Sequence, residues 1–229
     1  MTKPPLISVL IPSYNCGQYI RQAIDSIFLQ NYENIEIIVV DDGSEDNTKE
    51  NVISYPALKY IYQEHQGISV ARNNCLENAT GDYIAFLDAD DYWLSGKLDA
   101  QLKYFNCNPK CQLVFTACEH FVENEELRNS KVLQNEMGFG NNFKFAIQSS
   151  LIKKEIFKDY GNFMTQLPIK EDTEFFYRIK FYGVNVNHFI DKVYCMRRLH
   201  AKNTTFNVKF SMKSFLPFVT KYLRKASAK

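Results

Sequence analysis

Three carboxylates follow an apolar run in the first half of the chain. Residues 83–87 have the composition of a buried strand, and Asp88, Asp90 and Asp91 come directly after them. Hard cations such as Mg²⁺ and Mn²⁺ bind one or two carboxylates and leave other coordination positions to substrate phosphate oxygens. Because residues two apart in an extended segment point the same way, Asp88 and Asp90 can serve one ligand. The segment therefore predicts a divalent-cation site at a strand end, with an ordinary turn as the alternative.

Two earlier strands also end in polar residues. Residues 6–11 and 35–40 are apolar and rich in β-branched side chains, and they run into residues 12–15 and into Asp41 and Asp42. Helical patterns separate these strands at the spacing typical of a parallel sheet. Ligands of α/β proteins bind at the edge where the carboxyl ends of parallel strands meet. The three strand ends therefore predict one ligand crevice.

The rest of the chain carries further helix and strand patterns. In chain order, we predict helices over residues 17–30, 46–54, 67–79 and 173–181, and strands over residues 58–62, 114–117, 149–152 and 193–196. The polar stretch 123–142 predicts a loop or lid. Asp91, Trp93 and Lys97 are expected to form a turn and the start of the next helix. Because no internal repeat is present, one compact unit is favoured.

Size and composition indicate a globular protein. With 229 residues, of which 45% are hydrophobic, the chain can bury one substantial core. The N-terminus has no signal-peptide pattern, and no run approaches the roughly 20 apolar residues of a membrane helix. We therefore expect a cytoplasmic protein with six reduced cysteines. The cysteines lack two pairs at the spacing of zinc ligands, which argues against a zinc site.

Charge is divided unevenly along the chain. Ten of the 27 lysines and arginines lie in residues 192–229, where there is no Asp or Glu, and all 26 acidic residues precede them. An acidic body argues against a nucleic-acid partner. Residues 206–229 mix lysines with phenylalanine, leucine and tyrosine, a composition typical of segments that lie on anionic bilayers. Peripheral contact with the inner face of the plasma membrane and packing of this tail on its own domain are the two alternatives.

Five motifs in a fixed order resemble those of family 2 glycosyltransferases with the GT-A fold. They are Pro12-Ser13-Tyr14-Asn15, Val39-Val40-Asp41-Asp42-Gly43-Ser44, Gly67-Ile68-Ser69-Val70-Ala71-Arg72-Asn73, Asp88-Ala89-Asp90-Asp91 with Trp93, and Glu171-Asp172. The joint occurrence is more specific than any one motif. The resemblance implies an α/β fold with a mostly parallel nucleotide-binding sheet, flanking helices and a smaller acceptor-side region. It divides the chain into a catalytic domain over residues 1–205, with halves 1–105 and 106–205, and a tail over residues 206–229.

The resemblance implies a site for the donor nucleotide. Its residues are Pro12, Ser13, Tyr14, Asn15, Asp41, Arg72, Asp88, Ala89 and Asp90. The ring of Tyr14 can stack on a nucleobase, and Asp41 can accept a hydrogen bond from an imide N–H such as that of uracil. These two choices favour UDP; ordinary packing and turn formation are the alternatives. Arg72 is expected either near the phosphates or paired with a strand-end aspartate.

The resemblance also implies a divalent metal cofactor, Mn²⁺ or Mg²⁺. It implies that Asp88 lies near the ribose and that Asp90 binds the metal, which bridges the two phosphates and neutralises charge on the departing nucleoside diphosphate. His200 belongs to a basic set near the end of the resemblance. Its imidazole is expected to be a further metal ligand or to contact the diphosphate, and a surface histidine is the alternative.

The carboxylate pair Glu171-Asp172 is expected to supply the catalytic base. In inverting members of family 2 glycosyltransferases, a carboxylate from this pair takes the proton from the acceptor hydroxyl. The resemblance implies this role for Asp172. A helix N-cap is the alternative for Asp172. The reaction expected is inverting transfer of a hexose or N-acetylhexosamine from a nucleoside diphosphate sugar to a hydroxyl. The acceptor would be a glycan or lipid-linked glycan in cell-surface polysaccharide synthesis.

Two other functions compete with this interpretation. A haloacid-dehalogenase-like phosphatase also places an Asp-x-Asp after an apolar strand, but it resembles this chain only over residues 88–90. A non-catalytic domain that binds nucleotide sugars would share the donor motifs without the base. A dinucleotide-binding oxidoreductase is disfavoured because no Gly-x-Gly-x-x-Gly follows a strand.

Overall fold

The first half of the chain builds the parallel part of a sheet. The computed structural model describes residues 4–122, 146–167, 169–200 and 203. The parallel strands are β1 (Ile7–Ser13), β2 (Ile35–Asp42), β3 (Lys59–Gln63) and β4 (Tyr83–Phe86), in the spatial order β3-β2-β1-β4. All of β1 is buried, as expected for a strand covered on both faces. The predicted strands of this half are confirmed.

The second half completes the sheet in a mixed arrangement. Its strands are β5 (Tyr92–Trp93), β6 (Leu113–Val122), β7 (Ser150–Lys153) and β8 (Phe189–Leu199). Strand β7 is antiparallel to both β4 and β6, β8 is parallel to β6, and β5 lies at the edge, antiparallel to β8. Within the described residues these strands give one eight-stranded sheet. The mostly parallel sheet is confirmed, whereas β5 was not predicted because two residues show no periodicity.

Helices cover both faces of the sheet. They are α1 (Ile20–Phe28), α2 (Thr48–Ile53), α3 (Ile68–Glu77), α4 (Lys97–Cys107), α5 (Glu155–Tyr160) and α6 (Glu171–Phe181), with a 3₁₀ helix at Ile147–Ser149. Alternate side chains of β1 enter opposite layers: Val9 packs in the cluster of α1 and α4, and Leu10 in the cluster of α3, α5 and α6. The period of two in an extended strand thus divides the core into two layers.

This arrangement brings the polar strand ends to one edge. Ser13 at the end of β1 pairs with Asp41 at the end of β2, and β4 lies on the other side of β1 and leads into Asp88. Helix α6 begins at Glu171. The N-cap residue of this helix is Lys170, whose backbone is left-handed (φ 67°). Asp172 is therefore inside the first turn, and its expected alternative as the N-cap is wrong.

Two predictions fall outside this description. The loop or lid over residues 123–142 and the tail over residues 206–229 lie outside the described residues, so both stay predictions. Among the residues that are described, no helix is long and apolar enough to span a bilayer.

Candidate active site

A large cleft opens at the carboxyl ends of β1, β2 and β4, with the first turn of α6 on its wall. Its volume is about 1380 Å³. Ten of the predicted site residues line it: Pro12, Ser13, Tyr14, Asn15, Arg72, Asp88, Ala89, Asp90, Asp172 and His200. Residues from five parts of the sequence thus share one cavity, and their individual roles remain predictions. The buried hydroxyl of Ser13 has no hydrogen-bond partner among the described residues, so it is open to a ligand.

Asp41 is the predicted donor residue that does not line the cleft. Its side chain is buried, with Oδ1 accepting a hydrogen bond from Ser44 N (2.9 Å) and Oδ2 accepting one from the Tyr60 hydroxyl (2.7 Å). The neighbouring Asp42 lines the cleft instead. Successive side chains of a strand point to opposite faces, and so only one of two adjacent aspartates can face the ligand.

Asp42 organises the loop between β3 and α3. Its Oδ1 accepts hydrogen bonds from Gln63 Nε2 (2.7 Å) and Gln66 N (2.8 Å), and its Oδ2 accepts one from Gly67 N (2.8 Å). His65 Nδ1 lies 2.9 Å from the same Oδ2. The four acceptor positions of the carboxylate are therefore occupied. Sequence reasoning assigned no role to His65.

Asp90 and His200 meet at the other end of the cleft. Asp90 Oδ2 lies 2.9 Å from His200 Nε2 and accepts a hydrogen bond from Asn203 Nδ2 (3.1 Å). The side chains of Asp90 and His200 are 20% and 17% exposed, so solvent and small ligands can reach them. The described residues contain no group of three His, Cys, Asp or Glu side chains placed to hold a metal. Asp90 and His200 nevertheless fit a Mn²⁺ or Mg²⁺ site in which substrate phosphates and water complete the coordination.

Buried residues hold Asp90 in place. Arg198, which is 1% exposed, donates from Nε to the Asp90 carbonyl oxygen (2.8 Å) and from its backbone N to Asp91 Oδ1 (2.8 Å). Asp91 Oδ2 accepts a hydrogen bond from Gln148 Nε2 (3.0 Å). Burial, together with the negative charge of Asp90, raises the pKa of Asp91. Asp91 and Arg198 therefore fix the position of Asp90.

Trp93 and Lys97, which follow Asp91 in the sequence, are both buried. Trp93 lies in β5 and is 2% exposed, and its indole N–H donates to the carbonyl oxygen of Gln148 (2.9 Å). Lys97 begins α4, as expected, but is fully buried with its ammonium 4.0 Å from the centroid of the Trp93 ring. Burial lowers the pKa of Lys97 to about 7.

Arg72 joins the strand end that carries Asp88 to the start of α6. Its Nη2 donates to Asp88 Oδ1 (2.7 Å) and its Nη1 donates to Glu171 Oε1, while the whole side chain is 5% exposed. Burial lowers the pKa of Arg72, but the charges of Asp88 and Glu171 outweigh that effect and raise it. Burial raises the pKa of Glu171 to about 7; Arg72 opposes this shift and Asp172 adds to it. The predicted pairing with a strand-end aspartate is present, and the second partner was not predicted.

Asp172, in the first turn of α6, has one carboxylate oxygen that is not hydrogen-bonded to a described residue. It is half-buried, and its Oδ1 accepts hydrogen bonds from Thr173 N (2.6 Å) and from the Thr173 hydroxyl (3.2 Å). Its Oδ2 makes no hydrogen bond with any described residue. Glu171, in contrast, is 4% exposed and paired with Arg72. Of the two neighbours, both of which line the cleft, Asp172 is therefore the more accessible carboxylate.

The sheet and its helices have the GT-A fold of glycosyltransferases. The fold matches that of S. aureus TarS residues 1–349 in complex with UDP-GlcNAc, with a TM-score of 0.73 at 21% identity over 93% of this chain and 64% of that one. It also matches the mannosyltransferase PcManGT from Pyrobaculum calidifontis in complex with GDP-Man and Mn²⁺. That match has a TM-score of 0.65 at 21% identity, over 99% of this chain and 76% of that one.

The chain belongs to glycosyl transferase family 2, whose model matches residues 8–171. An uncharacterized glycosyltransferase of Rickettsia typhi is 32% identical over 89% of this chain and 67% of its own length. The putative teichuronic acid biosynthesis glycosyltransferase TuaG of Bacillus subtilis is 41% identical over 49% of this chain and 46% of its own. The chain thus spans about two thirds or less of these relatives. Since the family match extends far beyond residues 88–90, the phosphatase alternative is set aside.

Proposed function

We propose that the protein is a metal-dependent, inverting glycosyltransferase. It would move a hexose or N-acetylhexosamine from a nucleoside diphosphate sugar, with UDP favoured, to a hydroxyl of a glycan or lipid-linked glycan. The observation that carries this proposal is the shared cleft: the pair Asp90 and His200 lies at one part of its wall, and Asp172, with a free carboxylate oxygen, at another. A transferase needs both an anion site for the leaving group and a base for the acceptor.

The donor side binds and orients the nucleotide. The ring of Tyr14 is 46% exposed and offers a stacking surface for the base, and Asp42 takes over the hydrogen-bonding role first expected of Asp41. Asp90 and His200 would hold the metal, which supplies electrostatic stabilisation of the departing diphosphate. Arg72 is already neutralised by two carboxylates, so it orders the site rather than serving as a free cation for phosphate.

The acceptor side supplies the base. Asp172 would accept the hydroxyl proton while the acceptor oxygen attacks the anomeric carbon from the face opposite the nucleotide, which inverts that carbon in one displacement. The C–O bond to the diphosphate breaks as the new glycosidic bond forms. Glu171 also lines the cleft, but it is 4% exposed and paired with Arg72, so Asp172 is the more accessible carboxylate for this role.

The proposal of a surface polysaccharide as the acceptor rests on similarity to TuaG. TuaG is named for teichuronic acid biosynthesis, and this supports a surface polysaccharide as the acceptor. The structural neighbours are bound to UDP-GlcNAc in one case and GDP-Man in the other, so the base has to be measured.

Calorimetric titration tests the donor part of the proposal. UDP, GDP and dTDP are titrated into the protein with and without Mn²⁺, and Asp90→Ala is titrated in parallel. We expect Mn²⁺-dependent binding of UDP that Asp90→Ala loses. A stronger response to GDP or dTDP would keep the enzyme class and overturn the choice of base. No nucleotide binding under any condition would refute the proposal.

A further inference from the structure

The ring of His65 lies directly on the ring of Tyr14. The two ring centroids are 4.1 Å apart and the planes are 25° from parallel. His65 Nδ1 lies 2.9 Å from Asp42 Oδ2 and 3.1 Å from the Asp42 carbonyl oxygen. Since an ionised carboxylate and a carbonyl can only accept, Nδ1 carries the hydrogen and donates it. His65 therefore combines a stacked aromatic face with an N–H donor to a carboxylate.

A nucleobase bound in this cleft would make the same two contacts, a ring stacked on Tyr14 and an N–H donated to Asp42. We propose that His65 occupies the nucleobase position in the ligand-free protein and that the donor nucleotide displaces it. The inference rests on the proposed function, because it takes Tyr14 and Asp42 as the base-binding residues. His65 is then a residue that sets both the affinity for the nucleotide and the selection of its base.

The spacing of the rings excludes a base between them. A centroid distance of 4.1 Å is that of two rings in direct contact, and a third ring would need roughly twice this separation. Asp42 has no acceptor position left either, because Gln63, Gln66, Gly67 and His65 fill all four. A base that stacks on this face of Tyr14 and bonds to Asp42 must therefore replace His65.

The exposed side chain of His65 can turn away while its backbone stays packed against Gly43. The side chain is 54% exposed, so rotation about its own bonds carries it into solvent. Gly43 packs against the His65 backbone so closely that a Cβ at Gly43 would lie 2.8 Å from His65 N. Gly43 also has a φ of +78°, a conformation that favours glycine. The loop can thus stay in place while the imidazole moves.

Displacement favours bases that replace both contacts. Uracil and thymine carry a ring N–H in an imide and guanine carries one in a lactam, whereas adenine and cytosine have no ring N–H on the pairing edge. A base without a ring N–H can offer Asp42 only its exocyclic amino group, which does not reproduce the ring N–H that His65 provides. The apparent affinity also falls in proportion to the fraction of molecules in which His65 is displaced.

Substitution of His65 tests the inference by calorimetry. If His65 fills the position in about nine of ten molecules, His65→Ala should bind UDP about tenfold more tightly than the wild type. His65→Asn, which keeps an N–H but loses the ring, should lie between the two. His188→Ala is the matched control, because His188 also contacts a tyrosine, Tyr104 (3.1 Å from hydroxyl to Nδ1), but does not line the cleft. Weaker or unchanged binding by His65→Ala would overturn the inference.

Proton NMR gives a second, direct readout. The chain has four histidines, so the ring signals of His65 can be assigned by comparison with His65→Asn. On saturation with UDP we expect them to move to the position of a solvent-exposed imidazole. Signals that keep the shift caused by the Tyr14 ring would show that His65 stays, and would overturn the inference. If neither wild type nor His65→Ala binds UDP, GDP or dTDP, the proposed function itself fails.

Discussion

Replacement of Arg72 by glutamine should show whether Arg72 acts by ordering the cleft or by binding the nucleotide directly. Arg72→Gln removes the buried cation that joins Asp88 to Glu171. Breaking a buried ion pair by removal of one partner costs about 3–5 kcal/mol. We expect the lower end, about 3 kcal/mol, because the pKa of Glu171 is already raised to about 7 and the acid can become neutral when its partner is lost. The free energy of unfolding in urea measures this loss.

Catalysis should suffer more than binding in this variant. Arg72 fixes the first turn of α6, which carries Asp172, relative to the strand end that carries Asp88. Because a displacement of about 1 Å at a reacting group can reduce the rate about 100-fold, we expect a loss of that order in the release of UDP from a UDP-sugar. The dissociation constant for UDP should change by less than about threefold, since Arg72 does not serve as a free phosphate ligand.

Arg178 provides the matched control for Arg72. It is also buried and paired with a glutamate of α6, Glu174, at 3.0 Å, but it does not line the cleft. Arg178→Gln should reduce the free energy of unfolding by a similar amount and leave turnover per folded molecule unchanged. The reasoning is refuted if Arg72→Gln weakens UDP binding by the same factor as turnover, or if Arg178→Gln reduces turnover equally.

Three further changes have defined outcomes. Asp172→Asn should retain UDP binding in calorimetry and lose transfer by 10²- to 10⁴-fold, the contribution expected of a general base; transfer at the wild-type rate would contradict the assignment. His200→Ala should weaken the Mn²⁺-dependent part of UDP binding while leaving metal-free binding unchanged, and equal loss in both titrations would argue against a metal ligand. The pKa of Lys97 is lowered to about 7, so the folded state binds this proton less well than the unfolded state and stability rises as pH increases from about 7 toward 10. Lys97→Met should lose that rise in urea unfolding at a series of pH values, and a curve that still rises would show that another group is responsible.

The strand ends could be predicted from the sequence because their signals are local. Residues 12–15 and Asp88 follow apolar runs, and parallel strands bring such ends together without further information. The sequence does not show in the same way whether Asp41 or Asp42 faces the cleft. Both are aspartates, and the face that each one takes depends on the register of β2 beside β1, which is a tertiary property.

Other parts of the site depend on contacts between distant residues. The pairing of Arg72 with Glu171 joins residues 99 positions apart, and no pattern along the chain marks either of them as a partner of the other. Lysine is mostly a surface residue in proteins, yet packing against Trp93 buries Lys97 completely. His65 lies in a short loop and carries no periodic signal, so its stacking on Tyr14 appears only in the folded arrangement.

The route of the chain through the cleft implies an order of assembly during synthesis. Tyr14, Asp42 and His65 lie within the first 65 residues, so the part of the cleft that we propose for the nucleobase can form early. Asp90 meets His200 only across 110 positions of sequence, and β8, which carries Arg198, is the last strand of the described chain to be made. Contacts of such long range carry the larger loop-closure cost and form late. A ribosome-bound chain that ends before β8 would hold the part of the cleft around Tyr14, Asp42 and His65 without the contact between Asp90 and His200, which can form only after residue 200 has been translated.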